Sequence, residues 1–277
     1  MPKLTTPDQV NLHYTDIGSG KPIVLVHGWP LSGAAFEDNA AVFADAGYRV
    51  ITYDRRGFGS SGKPCSGYDY DTLTGDLDAI LNGLDLSDAV LLGFSMGGGE
   101  VVRYLATRGS ERVAGAILSG SICPALCITE DNPDGAMPRE GFQELADACA
   151  ADHAGFVDQF CTWFFSNNEG LTVPAEVRER AVAIAQQSAP HAAVATIMSW
   201  VTDLRDDCRR VDVPLLVIHG DGDQNVPLEK SSARMPEYVP QTQLVVIKGG
   251  PHGINISHAD QWNTAILDFL ATLVRSL

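Results

Sequence analysis

Residues 89–99 read AVLLGFSMGGG. The run AVLL is apolar without alternation, which predicts a strand covered on both faces. Gly93-Phe94-Ser95-Met96-Gly97 closes it as a G-x-S-x-G motif, and residues 96–108 continue as a helix. A strand that turns sharply into a helix forces its central residue into a strained backbone conformation. Side chains two positions before and after would collide, so both positions require glycine. The turn presents the Ser95 hydroxyl at the carboxyl edge of a sheet, beside a helix N-terminus that favours developing negative charge. A solvent-exposed serine in a simple turn is the bland alternative, and the strand-before, helix-after context argues against it. Serine rather than aspartate at this position points to an acyl-enzyme, hence to ester-type substrates, rather than to an alkyl-enzyme ester.

The same rhythm extends in both directions. Apolar runs at 23–27, 49–54, 113–119, 214–219 and 244–248 each end in glycine or aspartate, and helical patterns fill the gaps. Leu73, Leu77, Ile80, Leu81 and Leu84 recur at close to a 3.6-residue period, and so do Trp262, Ile266, Phe269, Leu270 and Leu273. Alternating strands and helices predict an α/β fold with a mostly parallel central sheet flanked by helices. The interval 122–210 breaks the pattern: it holds no convincing buried strand, carries five prolines and reads as helices. We therefore expect a core formed by residues 1–121 and 211–277, with 122–210 inserted as a helical cap. Within it Phe156, Phe160, Trp163 and Phe164 share one helix face. The stripe reads as the cap's own core contact or as the wall of an apolar pocket, with Phe160 and Phe164 as pocket candidates.

Composition narrows the function. The chain has 277 residues, 19 Lys plus Arg against 35 Asp plus Glu, and a net charge of −16. Its basic residues are scattered, which argues against a nucleic-acid partner. The acidic excess reads as solubility. No apolar run approaches the ~20 residues of a membrane helix, and residues 1–18 lack the apolar core of a signal peptide, so a soluble cytoplasmic protein with no membrane partner is expected. Six cysteines at 65, 123, 127, 149, 161 and 208 form no CxxC pair and read as reduced thiols.

An unaided serine needs a base and an orienting acid. His252, in Gly249-Gly250-Pro251-His252-Gly253 after the last apolar run, is the favoured base. His258 begins a helical segment, His219 reads as a core histidine and His27 as structural. The acid belongs between Ser95 and His252 in chain order. Asp221 and Asp223 both lie in the HGDGDQ loop at 219–224, and spacing does not choose between them. Two backbone amides must hold the oxyanion. Met96 supplies one. The loop His27-Gly28-Trp29-Pro30 supplies the other from Gly28 or Trp29, since Pro30 has no N–H.

Together these segments resemble the α/β-hydrolases of the cofactor-free haloperoxidase and arylesterase-perhydrolase type. The matching stretches are HGWPLSG at 27–33, YDRRGFGSS at 53–61, GYDYDTL at 67–73, GFSMGGGEVVRY at 93–104, ERVAGAIL at 111–118, VIHGDGDQNVP at 217–227 and GGPHGINISHA at 249–259. The resemblance implies the α/β-hydrolase fold and a triad of Ser95, Asp223 and His252. It implies oxyanion amides from Trp29 and Met96, and no cofactor, neither metal nor haem. It places Ile122 and Leu126 at the start of the acyl pocket, beside the Trp29 side chain. Asn225 and Leu228 fall where relatives often carry apolar or aromatic pocket residues. The implied partners are a small ester or carboxylic acid and hydrogen peroxide, and the implied assembly is a homo-oligomer. The implied activity is ester hydrolysis, with peracid formation from peroxide and a carboxylic acid as a side reaction. Pro30 is expected to fix its loop so that the Trp29 carbonyl addresses the second substrate. Lactone or amide hydrolysis on the same triad, C–C bond hydrolysis, and a non-catalytic receptor are the competing readings.

Overall fold

A computed structural model describes residues 2–274 of the chain. Eight strands form one sheet: β1 (Lys3–Thr5), β2 (Asn11–Gly18), β3 (Lys21–Val26), β4 (Tyr48–Tyr53), β5 (Ala89–Phe94), β6 (Val113–Ser119), β7 (Leu215–Gly220) and β8 (Gln243–Ile247). Their order is β1-β2-β4-β3-β5-β6-β7-β8. The ladder is parallel from β4 to β8, and β2 runs antiparallel to both β1 and β4. Every residue of β5 and β7 is buried, so helices cover both faces at the sheet centre, as their unbroken apolar runs require.

The flanking helices are α1 (Glu37–Asp45), α2 (Tyr70–Gly83) and α3 (Met96–Arg108). Those of the 122–210 interval are α4 (Arg139–Ala151), α5 (His153–Phe164), α6 (Ala175–Ala185) and α7 (Pro190–Ser199), and the last helix is α8 (Ala259–Val274). α2 packs on α3, and α1 packs on α8. Trp262 of α8 lies fully buried against Phe36 and Phe43, with its indole N–H donated to Ser119 Oγ at 2.8 Å.

Between β6 and β7, α4 packs on α5 and α7, and α5 packs on α6. Two short ladders, Cys127–Ile128 with Met137–Pro138 and Ser166–Asn167 with Gly170–Leu171, pin the connections. The interval is tied to the rest of the chain by backbone bonds from Gly253 N to Phe164 O (2.7 Å) and from Ala189 N to Gly57 O (2.8 Å). On the surface, Arg180 of α6 bridges to Glu37 and Asp38 of α1.

Two strands and one helix escape a reading by apolar runs. β1 and β2 form an exposed antiparallel pair in which Leu12 is buried but Ile17 is largely exposed, so no continuous run marks them. α1 buries only Asn39, Ala40 and Phe43. The six cysteines are free thiols, all buried except Cys65. No helix of the described residues is long and apolar enough to cross a membrane.

Candidate active site

Ser95 sits between β5 and α3 with φ 54° and ψ −119°, outside the regions that L-residues prefer. The two flanking glycines make that turn possible. A Cβ on Gly93 would lie 2.5 Å from the Gly97 carbonyl oxygen, and one on Gly97 would lie 2.4 Å from that of Val26. The Ser95 amide is anchored to Ser119 O at 2.8 Å, which fixes the turn to the neighbouring strand β6.

His252 follows β8 and Asp223 follows β7, so all three side chains rise from the carboxyl ends of parallel strands. His252 Nε2 lies 2.9 Å from Ser95 Oγ, and its Nδ1 lies 2.6 Å from Asp223 Oδ2. An ionised carboxylate can only accept, so Nδ1 carries the proton and Nε2 is left to accept from the serine hydroxyl. The imidazole is 1% exposed. Phe94 and Phe164 hold it edge-on, with centroids 5.4 and 5.2 Å away.

Asp223 is buried and fully partnered. Its Oδ1 accepts from the amides of Asn225 (2.9 Å) and Val226 (2.8 Å), and its Oδ2 accepts from His252 and from His219 Nε2 at 3.0 Å. Burial disfavours the charge, but the adjacent His252 and the bonds from His219 and His252 outweigh it and hold the carboxyl below the usual carboxylate range. His219 shares its Nε2–H between Asp223 and Val226 O (2.8 Å), while its Nδ1 lies 2.7 Å from Ser232 Oγ. His219 is thus a core histidine as expected, but also a second imidazole on the orienting acid. The four-residue spacing of His219 and Asp223 across the end of β7 is the sequence signal for it. Asp221 turns the other way and accepts from Gly249 N at 2.6 Å, which ties the loop after β7 to the start of the loop that carries His252. His258 bonds to Ser257 beside the start of α8 and takes no part in the site.

The loop after β3 lies against the nucleophile: a Cβ on Gly28 would stand 3.0 Å from that of Ser95. Gly28 O accepts from Leu31 N at 3.1 Å and from His27 Nδ1 at 2.8 Å. Trp29 N and Met96 N donate to no protein acceptor among the described residues, which leaves both amides available to an oxyanion. The Trp29–Pro30 peptide is cis.

Beneath this loop lies a buried polar cluster. Arg55 bonds to Glu100 and donates to His27 O, and Glu100 also accepts from Tyr53 OH at 3.1 Å. His27 Nε2 accepts from the Arg55 amide at 2.9 Å, so the ring is held neutral. Burial, and then the Arg55 charge, push the His27 pKa well below the usual histidine value. The unfolded chain therefore takes up a proton near the ordinary value of ~6.5 that the folded chain refuses. Stability is full above that value and falls as pH drops below it, by up to ~1.4 kcal/mol per pH unit from this group. Urea unfolding from pH 7.5 down to 5 is expected to show this slope. His27→Asn, which keeps a donor toward Gly28 O, is expected to flatten it, and an unchanged slope contradicts the assignment.

A small apolar cavity opens beside Ser95 and His252. Of the expected pocket residues Trp29, Ile122, Leu126, Phe160 and Asn225 line it. Phe164 does not: one turn beyond Phe160 it faces inward beneath Gly253, and its ring supports His252. Leu228 does not either: it begins a short 3-10 turn after Pro227 and is not part of the wall. The wall is completed by Ala136, Met137, Phe142, Leu145, Trp200 and Val226, which no motif marks. A second, wider cavity adjoins the first, and Met137, Leu145, Phe160, Trp200 and Asn225 line both. Phe156 and the half-exposed Trp163 line only the outer one. Among the described residues no three His, Cys, Asp or Glu side chains gather as a metal site.

Known proteins share the fold and much of the sequence. The alpha/beta hydrolase fold family matches residues 21–259. The non-heme chloroperoxidase CPO-A1 of Kitasatospora aureofaciens is 37% identical over 98% of this chain and 99% of the relative. The bifunctional esterase/perhydrolase DCH of Acinetobacter calcoaceticus is 32% identical over 96% of this chain and 98% of its own. The crystal structure of a bromoperoxidase from Bacillus anthracis superposes with a TM-score of 0.95 at 40% identity, covering 98% of this chain and 99% of that one.

Proposed function

Because this chain belongs to the α/β-hydrolase family, in the group of the non-haem haloperoxidases and esterase/perhydrolases, we propose from its site that it is a serine hydrolase of small carboxylic esters with perhydrolase activity. The observation that carries the reading is the unbroken line Ser95 Oγ, His252 Nε2, His252 Nδ1, Asp223 Oδ2, at 2.9 and 2.6 Å, at the mouth of an apolar cavity.

His252 takes the Ser95 proton as Oγ attacks the ester carbonyl. The Trp29 and Met96 amides receive the oxyanion of the tetrahedral intermediate, and Asp223 stabilises the imidazolium. His252 then returns the proton to the departing alcohol, leaving an acyl group on Ser95. Water resolves the acyl-enzyme to the acid. Hydrogen peroxide resolves it to a peracid, so that a carboxylic acid and peroxide yield a peracid and water. The peracid then oxidises halide in solution and reverts to the acid. The apolar walls suit a short acyl or aryl group.

The fold of residues 122–210 over this cavity supports its role as a cap. The exposed Leu244 and Val246 on the edge strand β8 suit pairing with a second copy of the chain. Unpaired thiols suit a reducing, cytoplasmic compartment. Incubation with acetate and hydrogen peroxide is expected to give peracetic acid, measured by bromide-dependent halogenation of monochlorodimedone. The signal is expected to vanish in Ser95→Ala. Halogenation that survives in the variant, or none from the wild type, contradicts the peroxide step.

A further inference from the structure

Trp200 and Asn225 stand where the inner and outer cavities meet, and each lines both. Among the described residues three buried side-chain polar atoms have no hydrogen-bond partner: Trp200 Nε1, Asn225 Oδ1 and Thr74 Oγ1. Thr74 lies in α2. The other two, a donor and an acceptor, belong to residues of one shared wall.

Among the described residues, other buried indole and amide groups are paired. Trp29 Nε1, in the same wall, donates to Ala193 O at 3.1 Å, and Trp262 Nε1 donates to Ser119 Oγ. The buried amides of Asn39, Asn132 and Asn255 are all bonded. Leaving a buried polar group unsatisfied costs free energy, so two orphans in one wall require an explanation. They are complementary: an indole nitrogen only donates, and an amide oxygen only accepts. Met137, Leu145 and Phe160, which line the same two cavities, carry no strong hydrogen-bonding side-chain group.

We propose that Trp200 and Asn225 select substrates bearing a hydroxyl group, with Trp200 Nε1–H donating to hydroxyl oxygen and Asn225 Oδ1 accepting a hydroxyl proton. The proposal rests on the ester-hydrolase reading and names its substrate class: hydroxylated short esters rather than plain alkyl ones. The Asn225 amide turns about a soft terminal torsion, so it meets the ligand at small cost. Trp200 lies at the end of α7 with its ring edge-on to Trp29, 5.3 Å between centroids, which sets the direction of its N–H. A methyl group in place of the hydroxyl keeps the size and leaves both orphans unpaired.

The test compares isosteric pairs. Phenyl 3-hydroxybutyrate is set against phenyl 3-methylbutyrate, and 3-hydroxypropyl acetate against butyl acetate. Each rate is corrected for its alkaline hydrolysis. The wild type is expected to favour the hydroxylated member of at least one pair by about 10-fold in kcat/KM. Within Trp200→Phe and within Asn225→Leu, that ratio is expected to fall toward one, whatever the absolute rates. A ratio near one for both pairs in the wild type, the result if ordered water pairs the two groups, overturns the proposal, as does a preference that both variants retain. Calorimetric binding of the same phenyl esters to Ser95→Ala reads the preference without turnover. Preferential binding of the hydroxy ester with no Ser95-dependent turnover of any ester supports the selection and overturns the hydrolase reading. Turnover with equal binding does the reverse.

Discussion

Replacing Ser95 by alanine is expected to lower kcat for p-nitrophenyl butyrate by about 10⁵- to 10⁶-fold, with unfolding by urea nearly unchanged. The reasons lie in the site. Ser95 Oγ is the nucleophile that His252 Nε2 reaches, at 2.9 Å, so its loss removes the covalent route altogether. What remains is the oxyanion amides and the cavity, which in comparable sites retain about 10³- to 10⁴-fold acceleration over water. Alanine keeps the Cβ that the strained turn already accommodates at φ 54°, and Gly93 and Gly97 still clear the turn, so the fold has no cause to change. Residual turnover above about one part in a thousand of wild type contradicts the assignment of the nucleophile.

Asp223→Asn is expected to cost about 10⁴-fold in kcat, while Asp221→Asn stays within a few-fold of wild type. The backbone decides the orientation of the new amide. The Asn225 and Val226 N–H groups both address Oδ1, so the carbonyl oxygen of the introduced amide must stay with them and its NH₂ must face the two imidazoles. A donor opposite His252 Nδ1 reverses the tautomer and points an N–H at Ser95, which disables the base. Asp221 makes its bond to Gly249 N, which is a loop contact, and asparagine can keep it through its carbonyl oxygen. Steady-state kinetics of the two variants separate the roles, and full activity in Asp223→Asn with loss in Asp221→Asn reverses them.

Much of this was legible in residue order because the features that carry it are local. A strand buried on both faces needs an unbroken apolar run, so β3 to β7 announced themselves, whereas the wet hairpin of β1 and β2 did not. The run at 244–248 also marks a strand, but β8 is an edge strand that leaves Leu244 and Val246 exposed, so its apolar run does not report burial on both faces. The elbow was legible through Gly93 and Gly97, whose absent side chains are a steric requirement of the turn. The orienting acid was less so. Asp221 and Asp223 share one loop, and what distinguishes them is that the Asn225 and Val226 amides draw Asp223 inward. Bond directions of that kind leave no mark on spacing.

The cavity was half legible. Phe160 and Phe164 lie one turn apart on α5, yet small differences in angle put one on the cavity and the other beneath His252. Trp200, Met137 and Phe142 reach the cavity only because α4 and α7 pack together over it, a tertiary fact no local pattern encodes. His219 was readable as buried, and its four-residue spacing from Asp223 hints at the pairing, but the contact itself depends on where the loop after β7 returns.

The central claim is an acyl-enzyme on Ser95, and trapping it tests that claim most directly. Wild-type protein mixed with excess p-nitrophenyl butyrate is quenched in acid during turnover, digested and read by mass spectrometry. The account predicts one butyryl group on the peptide that carries Ser95, absent from Ser95→Ala and lost on a chase without substrate. Turnover with no acyl group on that peptide, or with the acyl group on another residue, contradicts it.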